Sequence, residues 1–159
     1  MSARSHRAGK DKEPSQWAMP QCFKDLRFAV LATSDGGRPY TSLIAYALTP
    51  DCQTVIFATK KATQKYRNLK EQPSVSILID NRSQTPEDLG RAEAVTLLGT
   101  ASLVRVGARR EELAAVFTAR HPQLTAFVND PGTALLAMTI EQAVHVTQFQ
   151  NVSFWARGA

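Results

Sequence analysis

The sequence predicts a mainly β protein with a few helices, an antiparallel six-stranded barrel of Greek-key type. Three observations carry this. Short apolar, β-compatible runs recur along most of the chain, strong turn chemistry separates the first three of them with no helix between, and helical periodicity is confined to two or three connections. Three strands in succession before any helix argue against a doubly wound α/β fold, in which helices alternate with strands.

Taken in order, "RFAVLATS" reads as the first strand and "YTSLIAYAL" as the second. They are joined through "DGGRP", where Asp35, Gly36 and Gly37 supply the positive φ of a hairpin turn. "TPDCQ" turns the chain into a third strand, "TVIFAT". After Thr59 the period becomes helical: Ala62, Tyr66 and Leu69 recur at spacings of four and three, Thr63 stands as an N-cap and Pro73 ends the segment. "SVSILID" follows as a strand read as buried on both faces, and residues 81–92 have loop composition. "EAVTLLGTASLVRV" is a long strand whose Gly99 marks a bulge or a close backbone approach. "ARREELAAVFTARH" is an amphipathic helix, with Leu113, Val116, Phe117 and Arg120 in register and Pro122 as its terminator, and "ALLAMTI" and "AVHVTQFQNVSFW" complete the strands.

With 159 residues, 43 % of them apolar, the chain holds enough material for one domain with a real core, placed at residues 17–159. The net charge of +5 invites a polyanionic partner. Residues 1–16, however, read as a disordered basic leader: "MSARSHRAGKDKE" sets Arg4, Arg7, Lys10 and Lys12 against Asp11 and Glu13 with almost nothing apolar to bury. What remains is only mildly basic, and the leader lacks the aromatics that alternate with arginine in nucleic-acid-binding segments. No stretch has the apolar length of a secretory signal core or a membrane span, so a soluble cytoplasmic protein is expected. Cys22 and Cys52 have no CxxC spacing and signal neither a disulfide framework nor zinc, while His121 and His145 sit in structural settings.

The chemistry concentrates in "TKKATQKYRNLKEQP", residues 59–73, where a strand end, a short turn and a helix start meet. Backbone N–H groups converge at such a place and the helix dipole favours an anion. Thr59 and Thr63 offer hydroxyls, and Lys60, Lys61 and Lys65 offer charge-assisted bonds, which suits one phosphate monoester. The competing reading is a helix whose lysines face water, since the spacing matches no glycine-rich phosphate loop.

The same residues resemble a family. "FATKKATQKYRNLKEQP" is similar to the strand, turn and helix of the pyridoxamine 5′-phosphate oxidase family: Phe57, Thr59, Lys65, Leu69 and Pro73 match in type and spacing, Thr63 stands for the family's Ser and Gln64 for its Arg. "TSLIAY" occupies the place of the flavin-lining strand, and the resemblance runs through residues 26–106 to return at "SFWARG". It implies an FMN-binding split β-barrel, a homodimer with flavin at the subunit interface and a small-molecule electron donor or acceptor. Thr41, Ser42, Leu43 and Ile44 would line the ring and ribityl chain, and Ala58, Thr59, Lys60, Thr63, Gln64 and Lys65 would surround the phosphate. Lys60 or Arg67 would compensate for the charge that Gln64 lacks. Asn81 and Arg82 would face the ring as donors that stabilise reduced flavin, and Trp155 would approach the flavin of the partner subunit or else close the core.

The match to the named oxidase is incomplete. Tyr46 stands where it has a lysine and Ala94 where it has a glutamine, and "FWARGA" does not continue into the oxidase's Arg- and His-bearing substrate clamp. The expected function is therefore an FMN-dependent oxidoreductase or flavin reductase with another substrate. The alternatives are a deazaflavin-dependent reductase and a non-catalytic flavin-binding sensor or storage protein. Haem-handling relatives of the barrel use a histidine-bearing C-terminal extension that "FWARGA" does not match.

Overall fold

Two three-stranded meanders close on each other to make the barrel of the computed structural model, which describes residues 18–83, 87–148 and 151–158. The leader read at residues 1–16 lies outside the described residues. The first meander is β1 (Phe28–Asp35), β2 (Arg38–Leu48) and β3 (Thr54–Lys60); helix α2 (Gln64–Glu71) then crosses to the second, β4 (Ser74–Asp80), β5 (Glu93–Leu103) and β6 (Thr133–Thr147). β4 returns beside β1, giving the Greek-key order β3-β2-β1-β4-β5-β6. The ring closes where β3 pairs with β6, from Thr54↔Thr139 to Lys60↔Thr133. All pairings are antiparallel, and β7 (Asn151–Ala156) folds back on β6 outside the ring.

The split arises at one seam. β2 bonds to β3 only from Tyr46↔Phe57 to Leu48↔Val55, while its residues 38–45 pair with β1 alone. Along that stretch one edge of β2 has no strand partner among the described residues, and its backbone N–H and C=O groups face outward from the sheet.

Inside the ring lie Leu31, Ile44, Tyr46, Phe57, Ile77, Val95, Leu97 and Met138. Outside it, Ala47, Ile56 and Leu135 meet Leu113 and Phe117 of α3 (Ala108–Arg120) and Val128 of α4 (Thr125–Asn129). Adjacent β3 residues Ile56 and Phe57 thus serve different cores, as the period of two requires. A short α1 (Gln21–Asp25) plugs one end with Phe23, which is fully buried, and the Tyr46 hydroxyl donates to the Phe23 carbonyl.

The hairpin glycines adopt positive φ, Gly36 at 56° and Gly37 at 90°, and Thr63 caps α2 by accepting from the Tyr66 N–H. At Gly99 both halves of the expectation hold: the register of β5 against β6 shifts between Leu98 and Gly99, and an added Cβ would lie 1.9 Å from the Thr139 carbonyl oxygen.

Three expectations need correction. "SVSILID" is buried on one face only, through Val75, Ile77 and Ile79; the Ser74, Ser76, Leu78 and Asp80 side is exposed or half-buried, with no covering layer among the described residues. The long fifth strand stops at Leu103, after which residues 104–107 lead into α3. The last two strands do not divide at Glu141 and Gln142. β6 runs through both polar residues, which take exposed positions beside the bulge, and the chain reverses after Thr147, where Gln148 has φ 49°. Thr100 steadies the bulge by donating to Glu141 at 2.7 Å.

The turn between β2 and β3 gives a pH-dependent test. Thr49 Oγ1 donates to Asp51 Oδ1 at 2.6 Å and the Gln53 N–H at 3.1 Å, which together hold the Asp51 carboxyl below its usual range. A depressed folded-state pKa contributes stability above the unfolded value, near pH 4, that is lost as pH falls through the lower folded value. The Asp51→Asn variant is therefore expected to be less stable than the parent at pH 7 by about 0.5 kcal/mol, a figure discounted for exposure. Urea titrations should show that gap closing as pH falls below the usual carboxylate range; a gap independent of pH would disprove the assignment.

Candidate functional site

The end of β3 and the start of α2 form a densely bonded polar cluster on the barrel. Thr59, 3 % exposed, lies 3.0 Å by its hydroxyl from that of Thr63. Thr63 Oγ1 donates to the Lys60 carbonyl at 2.8 Å, so it accepts from Thr59 as well as from Tyr66 N–H at 3.4 Å. Arg67 N–H bonds the Thr63 carbonyl. With Tyr66 and Arg67 so engaged, the N–H groups of Gln64 and Lys65 remain as the first-turn donors without an intrahelical partner. Lys65 is half-buried beside them, and its ammonium makes no ion pair or hydrogen bond among the described residues. The turn thus presents two amides, a cation and the positive end of a helix dipole on one small surface.

A polar strut holds that surface against the barrel. Arg67 Nη2 donates to Gln64 Oε1 at 2.7 Å, Gln64 Nε2 to Asn68 Oδ1 at 2.7 Å, and Asn68 Nδ2 to Thr33 Oγ1 of β1 at 3.0 Å. Both ends of the Gln64 amide are used in this chain of bonds. Arg67 also bends back to the Ala62 carbonyl at 3.2 Å, which brings its guanidinium to the turn. Of the two cations that could replace the missing arginine charge, Arg67 is the one at the turn. Lys60 points to the other face of β3, where its ammonium pairs with Asp130 at 2.9 Å and lies 5.0 Å from the Phe127 ring centroid. Asn68, 3 % exposed, escaped the sequence reading; a polar residue on the apolar side of a short helix was the available signal.

The β2 quartet alternates. Ser42 and Ile44 turn toward the barrel, Thr41 and Leu43 away from it, with Leu43 65 % exposed. Ser42 Oγ is buried without a hydrogen-bond partner, an orphaned polar atom beside the unpaired edge of β2. Leu43 shares an outer groove of about 440 Å³ with Phe28, Leu78 and Arg82. Arg82 is anchored there by Asp80 at 2.9 Å.

Three other candidates are engaged elsewhere. Ala58 sits against the α3/α4 layer. Asn81 braces the base of the loop that precedes β5: its Nδ2 donates to the Arg91 carbonyl at 3.3 Å and its Oδ1 accepts from the Glu93 N–H at 2.7 Å. Trp155, opposite Ala143, is buried in the main core, while Phe154 beside it is 59 % exposed. Strand alternation gives the inward position to the tryptophan and the outward one to the phenylalanine.

His121 and His145 have structural partners. His121 Nε2 lies 2.7 Å from the Tyr46 carbonyl, and His145 Nε2 is 3.2 Å from Glu93. Burial pushes the Tyr46 phenol well above its ordinary range, so it stays protonated and donates to Phe23.

The sequence profile of pyridoxamine 5′-phosphate oxidase matches residues 17–147. No curated protein matches the chain. Among solved structures, the fold is similar to that of a heme-binding protein from Mycobacterium smegmatis, at 18 % identity and TM-score 0.74 over 88 % of this chain and 60 % of that one. The chain thus spans about three fifths of that protein's length. It is also similar to an FAD-binding protein from Mesorhizobium loti, at 17 % identity and TM-score 0.65 over 79 % and 87 %. A pyridoxinephosphate oxidase family protein from Clostridium acetobutylicum, related to general stress protein 26, matches at 14 % identity and TM-score 0.66 over 86 % and 90 %. At these identities the likeness is one of fold.

Proposed function

The chain belongs to the pyridoxamine 5′-phosphate oxidase family, on a match over residues 17–147, and from that premise we propose that it is an FMN-binding flavoprotein, an oxidoreductase or flavin reductase that works as a homodimer. The observation that carries the reading is the cation at the β3–α2 turn: Lys65, half-buried beside two first-turn amides and without an ion pair or hydrogen bond among the described residues. The residues present fit the cofactor. Lys65, the Gln64 and Lys65 amides and Arg67 would hold a phosphate dianion, with the Thr59 hydroxyl beside them. The orphaned Ser42 hydroxyl and the unpaired edge of β2 would supply further polar contacts. When bound, FMN supplies hydride or single-electron transfer at its ring. Leu43 and Phe28 would exclude water on the outer groove, and Arg82 would set a positive charge near an anion held there.

The homodimer rests on the same surface. Phe28, Leu43 and Phe154 are 61 %, 65 % and 59 % exposed, more apolar area than a monomer of this size usually leaves to water. A second copy related by a two-fold axis covers such a face at both sites together.

The visible spectrum of the freshly purified protein, with the released chromophore identified by mass, tests the reading. Flavin bands with FMN released are expected. A colourless protein that takes up neither FMN nor a deazaflavin in titration would overturn it, and deazaflavin uptake alone would replace the cofactor. The substrate is expected to differ from pyridoxamine 5′-phosphate, because the buried Tyr46 phenol is bonded to Phe23 and cannot serve as a cation for the substrate phosphate. Robust oxidation of that compound by FMN-loaded protein would refute this.

A further inference from the structure

The opposite face of the closure between β3 and β6 carries a cavity of about 570 Å³ that the flavin reading does not use. Its cations are Lys61, Arg105 and Arg110. Arg110 donates one guanidinium N–H to the Val128 carbonyl at 2.9 Å, which fixes the group and leaves its other donors free to turn inward. The acidic residue on the wall, Asp130, is already satisfied by Lys60 at 2.9 Å and by the Gly132 N–H at 2.6 Å. Thr133, also on the wall and 4 % exposed, has a hydroxyl with no hydrogen-bond partner among the described residues. A buried polar atom left unpaired is costly, so its presence marks a place where a partner would be stabilising. Leu103 and Val106 form the apolar part of the rim, Val106 almost wholly exposed at 96 %.

This cavity is separate from the turn at Thr59. Thr59 and its partner Ala134 point into the barrel, whereas Lys60 and its partner Thr133 point out of it, under α4. Three cations around a buried unpaired hydroxyl, next to exposed aliphatic side chains, suit an anion carried on an apolar body.

We propose that the cavity between the end of β5 and the start of β6 is a second anion site, which takes a small organic phosphate or carboxylate with an apolar group, the anion on Arg105, Arg110 and Thr133 and the apolar group on Leu103 and Val106. The proposal is independent of the flavin reading.

Phenyl phosphate is the probe, titrated into the full chain and followed by amide ¹H–¹⁵N shifts, once without FMN and once with FMN at saturation. Saturable shifts at Val106, Gly132 and Thr133 are expected in both titrations. The Arg105→Gln/Arg110→Gln pair is expected to weaken them by about tenfold or more and to leave FMN affinity unchanged. Thr133→Val, close in shape, should weaken phenyl phosphate about threefold while raising the melting temperature of the free protein, because it removes the unpaired hydroxyl. Shifts confined to residues 59–65, or abolished by FMN, would overturn the second site. If the protein takes up no FMN, the flavin reading fails and the flavin-free titration alone decides this one.

Discussion

Replacing Lys65 with glutamine is expected to weaken FMN binding about 10- to 100-fold and to leave the melting temperature of the flavin-free protein almost unchanged. A charge-assisted bond to phosphate is worth about 1.5–3 kcal/mol. Lys65 makes no ion pair or hydrogen bond among the described residues, so little stability is expected to be lost with its charge. Lys60→Gln should show the reverse pattern: it leaves FMN affinity nearly intact but releases Asp130, whose carboxyl the Lys60 hydrogen bond holds below the usual range. Fluorescence titration of FMN against both variants decides the matter. Equal losses, or no loss in Lys65→Gln, would remove the phosphate from the β3–α2 turn.

Gly99→Ala is expected to destabilise the barrel by about 3 kcal/mol or more, read as a fall in the urea midpoint at unchanged slope. The added methyl would meet the Thr139 carbonyl oxygen at 1.9 Å and its carbon at 3.0 Å. These are backbone atoms, and Thr139 is also tied to β3 through its pairing with Thr54, so no side chain can swing aside to relieve the clash. Only a shift of β5 against β6 would do so, and a near-neutral result would mean that the bulge slides freely.

Most of the barrel could be read directly because its strands are punctuated by residues with one physical use. Asp35-Gly36-Gly37 can hardly be anything but a reversal, Thr63 before a helical period is a cap, and Gly99 inside an apolar run asks for a close neighbour. The failures have equally local causes. Glu141 and Gln142 look like a break because polar pairs usually end strands, yet beside a bulge both side chains reach water while the backbone keeps its partners in β5 and β7. Ser74 and Ser76 are small enough to seem buried, and only the layer above could decide. α1 and α4, five residues each, are too short for a periodicity to register.

The site was legible in kind more than in detail. The residues alone assembled Thr59, Thr63 and Lys65 on one turn, and the family resemblance added Gln64. It could not show which of the neighbouring lysines faces the turn, because Asp130 and Phe127, which draw Lys60 to the opposite face, arrive from some 70 residues downstream. Trp155 and Phe154 differ by one position, and a single step in register exchanges inside for outside.

The pairing of β3 with β6 also dictates an order of assembly. Its partners are roughly 70–85 residues apart in sequence, whereas neighbouring strands within each meander are joined through shorter connections, the longest being residues 104–132 between β5 and β6. Loop-closure entropy penalises the distant contact first and most, so the two halves form early and the ring shuts last. Until it does, β3 and β6 each offer an open edge to any other chain in the same state. Recovery of the native protein from denaturant should therefore depend on dilution, with the yield set by a race between the seam closing on itself and closing on a neighbour.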